Sequence, residues 1–333
     1  MKKKLIGLII GIFSFSIVSA SSATELKLAT FEPPKAFIAS KILAGWATKV
    51  NQCSAGALNV KMYAGGVLGS PPKQYDIVTS GVADISWTVL GYIGGQFPLS
   101  SVIELPFLTK TSKAGTTALN SLFKEGYLDK EMAGIKVIGL HSNPGYQIHM
   151  KDTKVVNPAD FKGKKMRVPS KIAGTILKTL GATGVKVPAP GTSEALSKGV
   201  VDGTPFPYTA VGSFRLFDVT KYHTEVNITN ATFGLIMNED KFNSLSSGAQ
   251  ACINKFSGHA FGDWASNLID NQNAVMKNEI SKRADHEIIL ASDDVIAEYK
   301  KILAPIESNW LKEMSGKGLD GQAVLNRARE IIT

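Results

Sequence analysis

"LNVKMYAGGVLGSPPKQYDIVTSGVADISW", residues 58–87, decides the fold. Its first six residues alternate apolar and polar, placing Leu58, Val60 and Met62 on one face of a strand. A glycine- and proline-rich turn, AGGVLGSPP, ends that strand, and a helical spacing follows at about 73–80. Gly81 stands where a helix C-cap belongs, and the short apolar run VADISW reads as the next strand. Upstream, ELKLAT (25–30) also alternates, EPPK (32–35) turns the chain, and a helical pattern runs from Phe37 to about Val50. The order is β-α-β-α-β, which predicts a mostly parallel sheet flanked by helices.

The same order returns downstream. "ATGVKVP" (182–188) leads through "APGTSEALSK" to "GVVDG" (199–203), so that Gly199 and Asp202 repeat Gly81 and Asp84 at a distance of 118 residues. A chain this long exceeds what one core usually supports. The reading is therefore an α/β protein of two similar lobes with a ligand cleft between them. Residues 24–144 with 233–275 form lobe I, and 145–232 with 276–333 form lobe II, the helical C-terminal third bracing both. Open parallel sheets gather ligands at the carboxyl ends of their strands. The expected cleft segments are accordingly Thr30–Glu32, Ser86–Tyr92, Ser142–Gln147, Arg167–Ser170 and Thr204–Tyr208.

The N-terminus reads as a secretory signal peptide, residues 1–23: Lys2, Lys3 and Lys4, then LIGLIIGIFSFSIV, then the small residues of "SASSATEL". Fourteen apolar-rich residues are too few to span a bilayer. Ala20 and Ala23 both suit the position before cleavage, and Ala23 is favoured, giving an exported, periplasmic chain that is not membrane-inserted. Removing the three leader lysines lowers the formal charge from +9 to +6. The remaining lysines are scattered and no nucleic-acid recognition motif accompanies them, so the charge is read as favouring small anions rather than nucleic acid. Cys53 and Cys252 are the two cysteines, in an oxidising compartment either one structural bridge or two buried thiols. The bridge is the favoured reading, closing a loop of about 200 residues worth about 4 to 5 kcal/mol on the chain-entropy model.

A catalytic reading finds no support. There is no G-x-S-x-G elbow and no H-E-x-x-H; His141, His149, His223, His259 and His286 read as packed or surface side chains. Asp84 and Asp202 could form an acid/base pair, but strand-end carboxylates accepting backbone hydrogen bonds are the plainer account. "YAGGVLGS" lacks the lysine of a phosphate loop and the spacing of a dinucleotide turn. A surface ion pair suffices for Arg215 in "FRLFDVTKY". No cofactor or metal is called for. The aromatics Phe31, Trp87, Tyr92, Phe206 and Phe233 fall at strand exits, where they either complete the core or line the cleft.

One arginine stands apart. In "KKMRVPS" (164–170), a chain with 32 lysines and 5 arginines uses Arg167, and only arginine supplies a planar fork that grips a carboxylate with two parallel hydrogen bonds. The surrounding "NPADFKGKKMRVPS", with "YAGGVLGSPPKQYDIVTSGVADI", "FPLSSVIELPFL" and "LSKGVVDGTPFP", resembles the extracytoplasmic solute receptors of tripartite ATP-independent periplasmic (TRAP) transporters, from about Leu26 to Gln250. That resemblance implies a bilobal receptor that closes on its ligand and passes it to membrane permease subunits. It also implies that Arg167 grips the ligand carboxylate; a structural arginine paired to an inter-lobe acid is the plain alternative. Two departures narrow the ligand: Gln147 stands where some relatives carry a second arginine, and D-G-T-P-F-P replaces D-G-Q-E-N-P, bringing in Phe206.

The expected function is capture of an aromatic or apolar monocarboxylate, with Arg167 as anchor, Gln147 for a neighbouring keto or hydroxyl oxygen, and Phe206, Trp87, Phe31, Tyr92 and Phe233 against the organic body. The rival readings are a receptor for another transporter class or a sensor, and an exported hydrolase.

Overall fold

The computed structural model describes residues 23–332. The signal-peptide reading, apart from Ala23, lies outside them. β1 (Thr24–Ala29), α1 (Ala44–Cys53, entered through a widened π turn at Ile38–Leu43), β2 (Leu58–Tyr63), α2 (Gln74–Thr79) and β3 (Ile85–Val89) follow the order read from the sequence. Helices α3 (Ser112–Lys124) and α4 (Asp129–Met132) lead to β4 (Ile135–Ser142). The chain then leaves the first sheet. β5 (Gln147–Met150), β6 (Lys165–Val168), α5 (Lys171–Thr179), β7 (Thr183–Lys186), α6 (Thr192–Ser197), β8 (Gly203–Phe206), α7 (Tyr208–Ser213) and β9 (Tyr222–Glu225) build the second lobe. β10 (Thr232–Asn238) returns to the first sheet, followed by α8 (Glu239–Asn243), α9 (Ser247–Lys255), α10 (His259–Ser281), β11 (Glu287–Leu290), α11 (Asp293–Leu303), α12 (Pro305–Gly316) and α13 (Gly321–Ile332).

The sheets run β2-β1-β3-β10-β4 and β11-β9-β5-β8-β6-β7. Five of nine strand pairings are parallel and four antiparallel. All four antiparallel pairings belong to β10 or β5, each of which follows a passage from the other lobe. β11 also arrives from the first lobe yet pairs in parallel with β9, so the direction of an incoming strand is not recorded in local β-α-β periodicity.

The 118-residue echo has a structural counterpart. Asp84 Oδ2 accepts from Lys27 N at 2.7 Å and Asp202 Oδ2 accepts from Lys165 N at 2.7 Å, each tying its strand to the parallel neighbour. Gly81 and Gly199 both take the left-handed conformation that ends the preceding helix, at φ +72° and +68°. The two aspartates are thus strand-pairing devices. By the same correspondence β6 is the counterpart of β1, and Arg167 stands where lobe I has Ala29.

Three stretches carry the chain between the sheets, 143–146, 226–231 and the passage through α10 to β11, and the first two run side by side. Asn143 N donates to Ala231 O at 3.1 Å, Tyr146 N to Thr229 O at 2.6 Å, and Ile228 N to Tyr146 O at 3.1 Å. Across the cleft the lobes approach closely at Gly91, whose absent Cβ would lie 2.8 Å from Ser170 Cβ. Buried Glu104 receives Thr232 Oγ1 at 3.0 Å and also bonds the Ser170 side chain, linking lobe I to the N-cap of α5. Helix α12 touches both lobes: Trp310 Nε1 donates to Ser101 Oγ at 2.9 Å, and Glu313 pairs with Lys171 at 2.6 Å. Among the described residues no helix is long and apolar enough to cross a membrane.

Cys53 at the end of α1 and Cys252 in α9 are disulfide-bonded, with Cα atoms 5.7 Å apart. The bridge pins α9 to α1 at the edge of lobe I. A Cys53→Ser/Cys252→Ser double variant should lose about 2 to 5 kcal/mol in urea unfolding. An unchanged unfolding midpoint would contradict that contribution.

Candidate functional site

Between the lobes lies a small cavity of about 30 Å³. Its lining includes Arg167 and all five of the aromatics Phe31, Trp87, Tyr92, Phe206 and Phe233. Each reaches the cavity from a strand or the turn beyond one. Phe31 follows β1, Trp87 lies on β3, Tyr92 ends the 3-10 turn Leu90–Tyr92, Arg167 lies on β6, Phe206 ends β8, and Phe233 lies on β10.

Arg167 is 1% exposed, yet no acidic side chain of the described residues pairs with it. Its strand explains its direction: Met166 and Val168 face the apolar layer behind β6, so the residue between them faces the cleft. Nε donates to Val187 O at 2.9 Å and Nη2 to Tyr92 Oη at 2.9 Å. The guanidinium carbon sits 4.2 Å above the centre of the Phe206 ring, a cation–π stack that holds the fork flat. Nη1 is buried and has no partner. A guanidinium N–H without an acceptor is costly in a dry cavity, so this nitrogen marks where an anion gains most.

Tyr92 adds a second donor. Its oxygen accepts from Arg167 Nη2 and from Ala189 N, both at 2.9 Å, which fills its acceptor capacity and leaves the phenolic proton to donate elsewhere. Arg167 Nη1 and the Tyr92 hydroxyl together offer a carboxylate two converging donors.

The remaining wall is aromatic and firmly backed. Phe31 lies 5.1 Å from Trp87, and Trp87 and Phe233 stack at 4.8 Å with 11° between planes. His141 stacks on Phe233 at 4.7 Å and accepts from Trp87 Nε1 at 2.8 Å, so it is neutral with Nε2 bare; burial pulls its pKa down to about 4. Behind Phe206 runs a row of three histidines. His149 Nε2 lies 2.9 Å from the Phe206 carbonyl, which can only accept, so that nitrogen carries the proton. His149 Nδ1 must then accept from His223 Nδ1 at 2.7 Å, and His223 Nε2 from His286 Nδ1 at 2.9 Å. The polarity of the row is fixed by one carbonyl. Burial lowers His149 to about 4 and His223 to about 2, keeping both neutral.

Gln147 takes a different place from the one expected. It does not line the cavity: Nε2 donates to Gly145 O at 3.0 Å and Asn227 Oδ1 at 2.7 Å, while Oε1 accepts from Val226 N at 2.8 Å and Asn227 N at 3.1 Å. All four hydrogen-bonding valences are spent tying the paired inter-lobe segments together. With no second arginine at this position, the amide clamps the hinge instead of meeting a ligand. Arg215 makes the expected surface pair, with Asp218 at 2.8 Å.

The cavity also holds residues not singled out from the sequence, among them Glu32, Asn143, Tyr146 and Phe214. Asn143 and Tyr146 fall within the expected cleft segment 142–147, and Glu32 ends the segment 30–32. Glu32 is 3% exposed, its Oε2 has no partner, and burial raises its pKa from the ordinary 4.5 to about 8. The glycine loop after β2 sets it there: Gly65 N donates to Glu32 O at 2.8 Å and Gly66 N to Thr30 O at 3.0 Å. "YAGGVLGS" is therefore the strand-to-helix turn it was read to be, with the added task of pinning segment 30–32. No group of three or more His, Cys, Asp or Glu among the described residues could hold a metal ion.

A cleft between two hinged lobes, with unpaired donors in an aromatic cavity, defines a solute-binding protein. The chain matches the bacterial extracellular solute-binding protein family 7 (DctP) over residues 28–313, and it belongs to that family. It is a binding receptor, not an enzyme. Among solved structures it is similar to a marine metagenome TRAP solute-binding protein specific for aromatic acid ligands, in complex with 3-hydroxybenzoate (TM-score 0.90, 32% identity, 94% of this chain and 98% of that one). It is similar to a TRAP solute-binding protein of Rhodoferax ferrireducens T118 with copurified benzoate (TM-score 0.89, 30% identity, 93% and 98%). A third is from Bordetella bronchiseptica, with bound (R)- and (S)-mandelate (TM-score 0.86, 27% identity, 93% and 98%).

Glu32 gives the ligand-free protein a signature in pH. Its folded pKa lies above the unfolded one, so the folded state binds the extra proton and the associated stability is present below about pH 4.5 and lost as pH rises toward about 8. Glu32→Gln should therefore melt higher than wild type at pH 8.5, with a smaller difference at pH 5. A melting difference independent of pH would contradict the buried, raised carboxyl.

Proposed function

We propose that the chain is the periplasmic receptor of a TRAP-type transporter, that it captures an aromatic or apolar monocarboxylate by its carboxylate, and that it delivers the acid to the membrane permease. The observation that carries this reading is Arg167: fully enclosed, stacked on Phe206, free of any acidic partner, and with Nη1 unpaired at the cavity wall. A carboxylate entering there exchanges its water for charge-assisted donors from Arg167 and Tyr92. The rings of Phe31, Trp87 and Phe233 then cover its body. Benzoate, 3-hydroxybenzoate and mandelate in the similar receptors support an aryl acid as the ligand class.

Binding couples to closure because the donors come from both lobes. Arg167 belongs to the second and Tyr92 to the first, so both are satisfied together only when the cleft is shut. The permease then receives a closed, loaded protein. Membership of the family supports a permease as partner, and the leader read at residues 1–23 supports a periplasmic compartment.

In calorimetry with benzoate, Arg167→Ala should weaken binding by about 2 to 5 kcal/mol, the cost of removing one partner from a buried charge pair. Arg167→Lys should also bind clearly worse, since an ammonium cannot reproduce the fork. Near-wild-type affinity in a folded Arg167→Ala protein would defeat the assignment.

A further inference from the structure

Arg167 and Tyr92 account for one end of a ligand. Glu32 is a further polar group lining the same cavity, and its Oε2 has no partner among the described residues. Its carboxyl comes from lobe I, immediately after β1, whereas Arg167 comes from β6 of lobe II. It is 3% exposed, lines the cavity, and its Oε2 has no hydrogen-bond partner. Glu104 and Glu131, the other buried glutamates, are both engaged: Glu104 with Thr232 and Ser170, Glu131 with Leu99 N at 2.7 Å and Ser100 N at 2.9 Å. Glu32 alone of the three leaves an oxygen idle, and it does so at the wall of the cavity that Arg167 also lines.

Resting on the carboxylate reading above, we propose that Glu32 is a specificity-determining group that receives a hydroxyl of the ligand, so that the preferred ligands are hydroxylated aryl monocarboxylates rather than their unsubstituted parents. An orphaned carboxyl among aromatic rings is expensive, and an unsubstituted ring leaves it orphaned after binding. A hydroxyl both donates and accepts, which matches a carboxyl that burial keeps protonated near neutral pH. A site built around such a contact rejects the analogue that lacks it, because the buried polar group stays unpaired. The arrangement also adds to closure: the ligand's carboxylate is held chiefly by lobe II and its hydroxyl by lobe I, so a hydroxylated acid bridges the cleft.

The test is calorimetry on the mature chain with benzoate against 3- and 4-hydroxybenzoate, and phenylacetate against mandelate, in wild type and in Glu32→Met and Glu32→Leu, with folding checked by thermal melting. Wild type should bind at least one hydroxylated acid about tenfold or more tighter than its parent. In whichever apolar variant folds, that preference should fall to within about twofold, with the parent acid bound as well as before or better. Equal binding of parents and hydroxylated acids by wild type, or a preference that survives in the variants, would overturn the role of Glu32 while leaving the carboxylate reading standing. Failure of wild type to bind any of these acids would overturn both together.

Discussion

A guanidinium buried without a counter-ion is the constraint on which the site depends. Enclosing Arg167 costs several kcal/mol of lost hydration, and the protein offsets it with the Val187 carbonyl, the Tyr92 hydroxyl and the face of Phe206. None of these is an anion. The positive charge is held ready and uncompensated, which no purely structural arginine requires. The supports of Arg167 are themselves supported: His149 bonds the Phe206 carbonyl and hands the strain-free polarity of its row outward through His223 to His286. Ala189 N fixes Tyr92 from below.

The fold supplies the other half of the account. Two sheets of corresponding build face each other, and in each an incoming strand, β10 or β5, lies antiparallel beside the strand that follows the capping glycine. The paired segments between the lobes are tied to one another by the Gln147 amide. Contacts at Gly91, Ser170 and Glu104 then define the shut position.

Much of this was legible in local pattern. Residues 58–87 showed strand, turn, helix and strand because their periodicity is set by near neighbours, and Gly81 with Asp84 had a repeat at Gly199 and Asp202 that proved to be one device used twice. The antiparallel strands were not legible: β10 is flanked by β3 and β4, strands that lie far upstream, and no local spacing records the direction in which it arrives. At the site, Arg167, singled out by its motif, and the five expected aromatics line one cavity, though Trp87 lies in mid-strand and Phe233 near the start of β10. Gln147 misled because the same amide serves a ligand or a hinge equally well, and Asn227, 80 residues away, decides which. Glu32 fell within the expected cleft segment 30–32 but was not singled out, for the converse reason. A glutamate before two prolines reads as a solvated turn, and its burial depends on the glycine loop that grips its backbone from residue 65.

The most direct test of the central claim is a crystal structure of the protein grown with benzoate. The account places a carboxylate oxygen about 2.7 to 2.9 Å from Arg167 Nη1, with the second oxygen toward the Tyr92 hydroxyl and the ring among Phe31, Trp87 and Phe233. A benzoate bound with its carboxylate away from Arg167, or Nη1 still unpaired in the liganded cavity, would contradict it.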